Sequence, residues 1–452
     1  MKKLLTLFLS ICLVFGASSL KAVETKAEME QFSLPPSEFV QKIGAGWNLG
    51  NTFENYLAGS PTVEEQEYGW YQPITQKGMI QKVYRTGFNA VRIPVSWGPQ
   101  TTYSNGKYNV KLAFLQRIEE VIKWCYEYDM YVIINMHHDD NIREMKNSGA
   151  WLNLGADDAQ WEVIKDKYQQ IWKQVAEYFS DYDEHLILEG ANEMLAPTAF
   201  DGCGSSTTSG CWWGHNSEVF LRQYELYEIF VNTVRKSGGN NDKRYLMLPT
   251  YGAQWYENQV QNLGIPNADD HIIVDIHWYK ASDQINEKTR QSYANMWQRY
   301  AKQRGFGVVI GECGFNESTA DSYKQNWANT FVKDLRQNYK IPVFLWDDGG
   351  NMKILDRSSA PYMWTANSQL YVKKVVEVSK PYILKEPEAL LGDVNSDKEF
   401  GMVDLLLFRK YLYKAEGYIK EMPKEADVNS DGVYDVKDLL KMARVQANKD
   451  HF

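Results

Sequence analysis

The sequence predicts an α/β fold, a (β/α)8 TIM barrel, followed by a small all-α module made of a duplicated loop and helix. Three observations predict it. Eight short apolar runs alternate with amphipathic helical patterns, which favours a parallel sheet wrapped by helices. Nearly every run ends in polar or aromatic residues, the arrangement by which a barrel gathers chemistry at the C-terminal ends of its strands. Beyond Pro387 the alternation stops, and two acidic loops start at Asp393 and Asp427, each leading into an apolar helix.

Met1–Lys3 followed by the apolar run Leu4–Ala17 and a small-residue end at Ala22 reads as a signal peptide over residues 1–22 and predicts export. An irregular acidic segment, 23–35, precedes the first strand pattern. Predicted strands cover Ile43–Leu49, Ala90–Val95, Tyr131–Met136, Leu186–Glu189, Tyr245–Leu248, Ile272–Ile276, Val308–Ile310 and Val343–Trp346. Helical periodicity fills the gaps, as in Leu112–Tyr128, Trp161–Tyr178, Phe220–Lys236, Tyr293–Gln303 and Ser322–Asn338. The barrel spans 36–384, 385–389 form a short linker, and the small module covers 390–450.

The formal charge of −9 falls by three more units when Lys2, Lys3 and Lys21 leave with the signal. So acidic a surface argues against nucleic acid or an anionic membrane as partner and suits a neutral substrate. No segment beyond the signal is long and apolar enough to span a bilayer. With 15 Trp and 29 Tyr, the chain has rings to spare for stacking on sugars. Trp97, Trp151, Trp212, Trp213, Trp255, Trp278, Trp346 and Trp364 fall in loops or at strand ends, and Trp346, which ends the eighth strand, is the foremost platform. Cys125 and Cys313 sit in apolar patterns and read as buried. Cys203 and Cys211 bracket a Gly/Ser/Thr stretch, and spacing alone leaves their pairing open.

Glu193 and Glu312 follow the fourth and seventh runs and so converge at one end of the barrel. Glycosidic cleavage needs such a pair, one carboxyl to protonate the leaving oxygen and one to attack the anomeric carbon or activate water. Arg92 and Tyr279 supply donors to keep Glu312 ionised, whose charge raises the proton affinity of Glu193. Asn192 is placed to orient a sugar hydroxyl, and Asn48 and Trp97 are expected to reach the cleft. His137-His138-Asp139-Asp140 suggests a metal, but consecutive side chains on a strand face opposite ways. Hydrogen bonding in the cleft by His137 and packing by His138 are the expectations, with no cofactor for catalysis. Gly44–Gly50 does not open a helix, so it is no dinucleotide loop.

In the tail, Asp427, Asn429, Asp431, Asp435 and Asp438 occupy positions 1, 3, 5, 9 and 12 of a calcium loop, with Gly432 at position 6. The first loop offers Asp393, Asn395, Asp397 and Asp404, but has Lys398 at position 6 and Gly401 at position 9, which predicts weaker binding of Ca2+.

The barrel resembles glycoside hydrolase family 5 of clan A through Gly46–Thr52, Gly87–Trp97, Asn135–His138, Glu189–Glu193, His277–Tyr279 and Gly311–Gly314 in that order. The resemblance implies a retaining endo-β-1,4-glucanase acting on cellulose, mixed-linkage glucan or xyloglucan, with Glu193 as acid/base and Glu312 as nucleophile. It implies active-site positions for Arg92, His137, Asn192, His277, Tyr279 and Trp346. A mannanase or xylanase is the nearest alternative, and a noncatalytic carbohydrate-binding protein a more distant one. Cys313 stands where an aromatic is common and Met194 where proline is common, changes of local packing only. The tail resembles a dockerin, which implies calcium, a cohesin partner on a scaffolding protein, contacts through Met402, Val403, Val436 and Lys437, and a secreted, cellulosome-associated enzyme.

Overall fold

The computed structural model describes residues 31–140, 148–196, 217–266, 269–279, 287–379, 391–394, 400–415, 422–429 and 431–447. Eight parallel strands close into a barrel: β1 Ala45–Asn48, β2 Ala90–Ile93, β3 Tyr131–Asn135, β4 Leu186–Glu189, β5 Leu246–Pro249, β6 Ile272–Trp278, β7 Gly307–Cys313 and β8 Val343–Leu345. Closure comes from β1, which pairs with β2 on one side and with β8 on the other. All eight predicted runs are strands. The sixth and seventh run longer than their patterns suggested, so that His277, Trp278 and Glu312 lie within strands rather than after them.

Helices follow the strands in turn: α1 Lys77–Thr86, α2 Leu112–Tyr126, α3 Asp158–Tyr178, α4 Ser217–Arg235, α5 Glu257–Asn262, α6 Glu287–Trp297, α7 Asp321–Trp327 and α8 Gln369–Ser379. Their apolar stripes explain their place. On α2, Phe114, Leu115, Ile118, Val121, Ile122 and Cys125 are buried at three- and four-residue spacing. Asp157 caps α3 by accepting the Gln160 amide at 2.9 Å.

Strand side chains alternate between two cores. Val91, Val132, Leu188, Leu246, Val274 and Val308 pack outward in the larger apolar core. Ala90, Ile133, Ile187, Met247, Ile273, Val309 and Phe344 form a second cluster with Phe39 and Tyr245. Phe39 comes from the short helix Pro36–Lys42 and stacks on Tyr245 at 3.7 Å and edge-on to Tyr131 at 5.4 Å. This aromatic plug was not expected from the sequence. Gly46 is required here, because a Cβ would lie 2.1 Å from the Phe344 ring.

In the tail, α9 Met402–Tyr413 and α10 Val436–Gln446 share a small core of Val394, Phe408, Ala426, Val428 and Met442. Among the described residues no helix is long and apolar enough to cross a membrane.

Candidate active site

Arg92 is the hub of the site. The period-two alternation that puts Ala90 in the inner cluster carries Arg92 into the barrel one step higher, where it is fully buried. A guanidinium has five N–H groups, and each finds an acceptor. Nε and Nη2 grip the two oxygens of Glu189, each at 2.7 Å, Nη1 donates to Glu312 at 2.7 Å and to Asn48 at 3.1 Å, and Nη2 also donates to Asn192 at 2.9 Å. One side chain thus ties together the ends of β1, β2, β4 and β7.

Glu312 accepts from Arg92 on one oxygen and from the Tyr279 hydroxyl, at 2.7 Å, on the other. His277 Nδ1 lies 3.5 Å from it and His137 Nε2 3.9 Å. Burial pushes this carboxyl upward, but His277, Arg92 and the Tyr279 bond outweigh burial and hold it below the usual carboxylate range. Glu193, following β4, places Oε1 2.7 Å from His277 Nδ1 and keeps its side chain 26% exposed. Burial raises its proton affinity, and the negative charge of Glu312 adds to the effect against the pull of His277. An oxygen of Glu193 and one of Glu312 lie within 4.8 Å of each other.

His137 is buried. Its Nδ1 lies 3.0 Å from the Asn135 amide nitrogen, which donates to it, so Nε2 carries the proton and faces Glu312. Burial keeps His137 neutral. The Trp346 indole lies parallel to it at 5.7 Å and is partly exposed, a flat face stacked beside His137.

Several expectations are corrected. Trp97 does not reach the cleft: it is fully buried, its indole N–H donates to the Asn135 carbonyl at 2.8 Å, and its ring packs on Phe114. Asn48 is also buried, and it bonds the Gly311 and Leu345 carbonyls and Arg92 instead of facing the cleft. Trp255 and Trp278 stack on each other in the core, and Trp364 is buried against Thr86. Trp151 is half-buried, its N–H on Asp139. Asp139 accepts the Trp97 and Gly98 amides, and Asp140 the Asn192 amide, so both organise loops. Cys125 and Cys313 are buried thiols, as expected. Trp212, Trp213, Cys203, Cys211, Asn395 and Asp397 lie outside the described residues.

Two buried acids at the site were not foreseen, Glu189 on β4 and Asp275 on β6. Each lies two residues beyond an inward isoleucine, Ile187 or Ile273, and a charge on the inner face of an apolar strand is the signal that marks it. Glu193, His277 and Glu312 offer three ligand atoms close enough for a metal. The guanidinium 2.7 Å from Glu312 repels a cation there, so the set is better matched to moving protons.

In the second tail loop, Asp427 accepts the Asp431 and Gly432 amides, Asn429 accepts the Asp431 amide, and Asp438 accepts the Asn429 and Asp435 amides. Gly432 turns with φ 79°. In the first loop, Asp404 accepts the Val394 and Gly401 amides.

A family model described as cellulase (glycosyl hydrolase family 5) matches residues 50–351, and one described as dockerin type I domain matches residues 391–445. The chain is 30% identical over 433 residues to the cellulase/esterase CelE of Acetivibrio thermocellus, covering 86% of this chain and 48% of that protein, so it spans about half that relative's length. Endoglucanase A of Paenibacillus barcinonensis is 31% identical over 361 residues, 71% of this chain and 84% of the relative. A solved GH5-4 broad specificity endoglucanase from Ruminococcus champanellensis with bound cellotriose superposes with a TM-score of 0.62 at 29% identity, over 79% of this chain and 100% of the other.

Proposed function

The chain belongs to the cellulases of glycosyl hydrolase family 5, and on that premise we propose that it is an endo-β-1,4-glucanase working by double displacement with Glu312 as nucleophile and Glu193 as acid/base. The observation that carries the reading is the pair of glutamates whose oxygens approach within 4.8 Å while their surroundings drive their protonation apart. That spacing suits retaining enzymes, whose carboxyl groups lie about 5–5.5 Å apart, better than the roughly 6.5–9.5 Å of inverting ones.

Glu312, ionised by Arg92 and Tyr279, attacks the anomeric carbon as Glu193 gives its proton to the departing glycosidic oxygen. A covalent glycosyl-enzyme forms. Glu193, now a carboxylate, takes a proton from water as it attacks, and configuration is retained. Asn192 and His137 orient sugar hydroxyls, and Trp346 gives a ring face to an adjoining sugar. The endoglucanase names and bound cellotriose of the relatives support a β-1,4-glucan substrate.

The test is Glu193→Gln and Glu312→Gln, each assayed on barley glucan and cellulose with the fold checked by circular dichroism. Loss of nearly all hydrolysis in both is expected. Near-wild-type turnover in either would remove the assignment, and inverted product configuration would remove the double displacement.

The tail is a dockerin type I domain. For it we infer Ca2+ held by Asp427, Asn429, Asp431, Asp435 and Asp438, whose hard oxygens and left-handed Gly432 fit the ion, with a second, weaker site at Asp393, Asn395, Asp397 and Asp404. The exposed Met402, Val403, Val436 and Lys437 would meet a cohesin. The reading includes a signal over 1–22, a barrel over 36–384, a linker over 385–389 and a module over 390–450, in a secreted, cellulosome-bound enzyme. Chelation by EDTA should unfold α9 and α10 and abolish cohesin binding while hydrolysis of soluble glucan continues. Cohesin affinity indifferent to EDTA would defeat the calcium assignment.

A further inference from the structure

The segment between β1 and α1 presents a tyrosine that gives little to the fold. After the short helix Val63–Tyr68 the chain passes Gly69 and runs through Trp70, Tyr71 and Gln72. Tyr71 closes a turn here, donating its amide to the Tyr68 carbonyl at 2.7 Å, and its φ of 61° lies in the left-handed region. A bulky L side chain is disfavoured there, whereas glycine is not. The ring recovers little of that cost: it meets Tyr68 edge-on at 6.0 Å and is 83% exposed. Among the described residues no large hydrophobic side chain is more open. Strain held at a solvent-facing ring fits a binding position better than a packing one.

The neighbours of Tyr71 place it at the rim of the cleft. The Trp70 ring lies 5.4 Å from that of His138, His138 lies 4.6 Å from His137, and His137 is stacked on Trp346 at 5.7 Å. On the other side, Gln72 is buried against the loop that follows Trp346, so closely that a Cβ on Gly349 would lie 1.8 Å from its Oε1. Consecutive Cα atoms are about 3.8 Å apart, so Tyr71 is pinned on both sides to the segments that carry His137 and Trp346. Next to it, Tyr68 lines two open hollows of about 460 and 610 Å³, which make the surface beside the tyrosine pair concave.

We propose that Tyr71, backed by Tyr68, is an outer sugar platform that stacks on a glucosyl unit of the β-glucan chain beyond the one at Trp346, so that long chains are gripped better than short ones. The proposal rests on the endoglucanase reading above and adds a residue to its substrate contacts. A β-1,4-linked glucosyl ring carries C–H groups on its faces and hydroxyls around its edge. An exposed tyrosine matches it with an apolar face and a polar tip.

Tyr71→Gly tests this, with Tyr71→Phe beside it. Both changes fall on the surface and remove no buried contact. The ratio of kcat/KM on cellohexaose to that on an aryl cellobioside should fall about 2- to 10-fold in Tyr71→Gly, the worth of one aromatic pair, and through KM rather than kcat. Phenylalanine keeps the ring and should hold the ratio near that of the unaltered enzyme. Glycine also accepts a φ of 61° without strain, so the unfolding midpoint of Tyr71→Gly should rise. A tyrosine with a purely structural role would not combine higher stability with a poorer grip on long chains.

An unchanged ratio in Tyr71→Gly would overturn the platform, as would equal losses on the two substrates or a Tyr71→Phe ratio as low as that of Tyr71→Gly. The unaltered chain, run on cellohexaose and barley glucan, separates the two readings. If it cleaves neither, the endoglucanase reading fails and takes the platform with it. If it cleaves both while Tyr71→Gly keeps the ratio, the platform alone fails.

Discussion

The two ends of the barrel interior are built from the same strands, two residues apart, and their chemistry is opposite. In the lower layer the inward residues include Ala90, Ile133, Ile187 and Ile273, closed beneath by Phe39 on Tyr245. One step up the same strands they are Arg92, Asn135, Glu189 and Asp275, all buried and all polar. The lower layer gains from leaving water. The upper layer is costly to bury and persists because each charge has a fixed partner, which is also what keeps donors and carboxylates aimed at a reacting sugar. Stability and chemistry are therefore stacked, and substitutions in the two layers should separate them.

The largest effect is expected in the upper layer. Arg92→Leu strands Glu189 and Glu312 without a counter-charge and should cost about 3–5 kcal/mol, the range for removing one partner of a buried pair. Hydrolysis should vanish even where the protein remains folded. Ile187→Ala, one step below Glu189, should cost a similar amount, about 2–5 kcal/mol for a buried isoleucine, with kcat unchanged at temperatures where the fold persists. Urea unfolding and turnover measured on both variants decide the matter. A large fall in kcat for folded Ile187→Ala would show that the layers are not independent.

The pH profile sharpens the same contrast. Burial raises Glu193, whereas at Glu312 the nearby His277 and Arg92 outweigh burial and lower it. In the proposed roles Glu312 acts ionised and Glu193 protonated, so kcat/KM should be bell-shaped. It should fall on the acid side only below the ordinary glutamate range, as Glu312 takes up a proton, and on the alkaline side above that range, as Glu193 loses one. A profile that declines through the ordinary glutamate range as pH rises would contradict the assigned roles.

Much of this was legible because a strand repeats every two residues and a barrel gathers its strand ends. The eight runs, Arg92, Glu193, His277, Tyr279 and Trp346 follow from those two facts. Glu312 shows where they stop. Counting inward from Val309 by twos reaches Gly311 and leaves Glu312 facing out. In the structure β7 carries an extra residue: Val343 pairs with Ile310 and Leu345 with Cys313, while Ile276 pairs with Ile310 and His277 with Glu312. This bulge re-aims Glu312 into the cleft, a common use of bulges beside active sites, and periodicity cannot reveal it. Glu189 and Asp275 were passed over although alternation marked them. Trp97 and Asn48 were misplaced because their partners are backbone carbonyls of other strands, which no side-chain pattern displays.

Two tryptophans give the finest comparison. Both follow barrel strands, yet Trp97 spends its indole N–H on the Asn135 carbonyl inside the core, while Trp346 lies parallel to His137 with part of its ring open. Trp97→Phe leaves that carbonyl short of a donor and should cost about 1–3 kcal/mol of stability, with KM for glucan unmoved. Trp346→Ala should leave the unfolding midpoint nearly unchanged and weaken substrate binding by about 0.5–1.5 kcal/mol, taking the worth of an aromatic pair as a guide to a ring on a sugar. That is at most about tenfold in KM. The effect should be the same for cellohexaose and barley glucan, since both present a β-glucosyl face to the ring. A change in kcat with KM constant would instead assign Trp346 to holding His137 in place beside Glu312, and would move it from substrate binding to support of the charged layer.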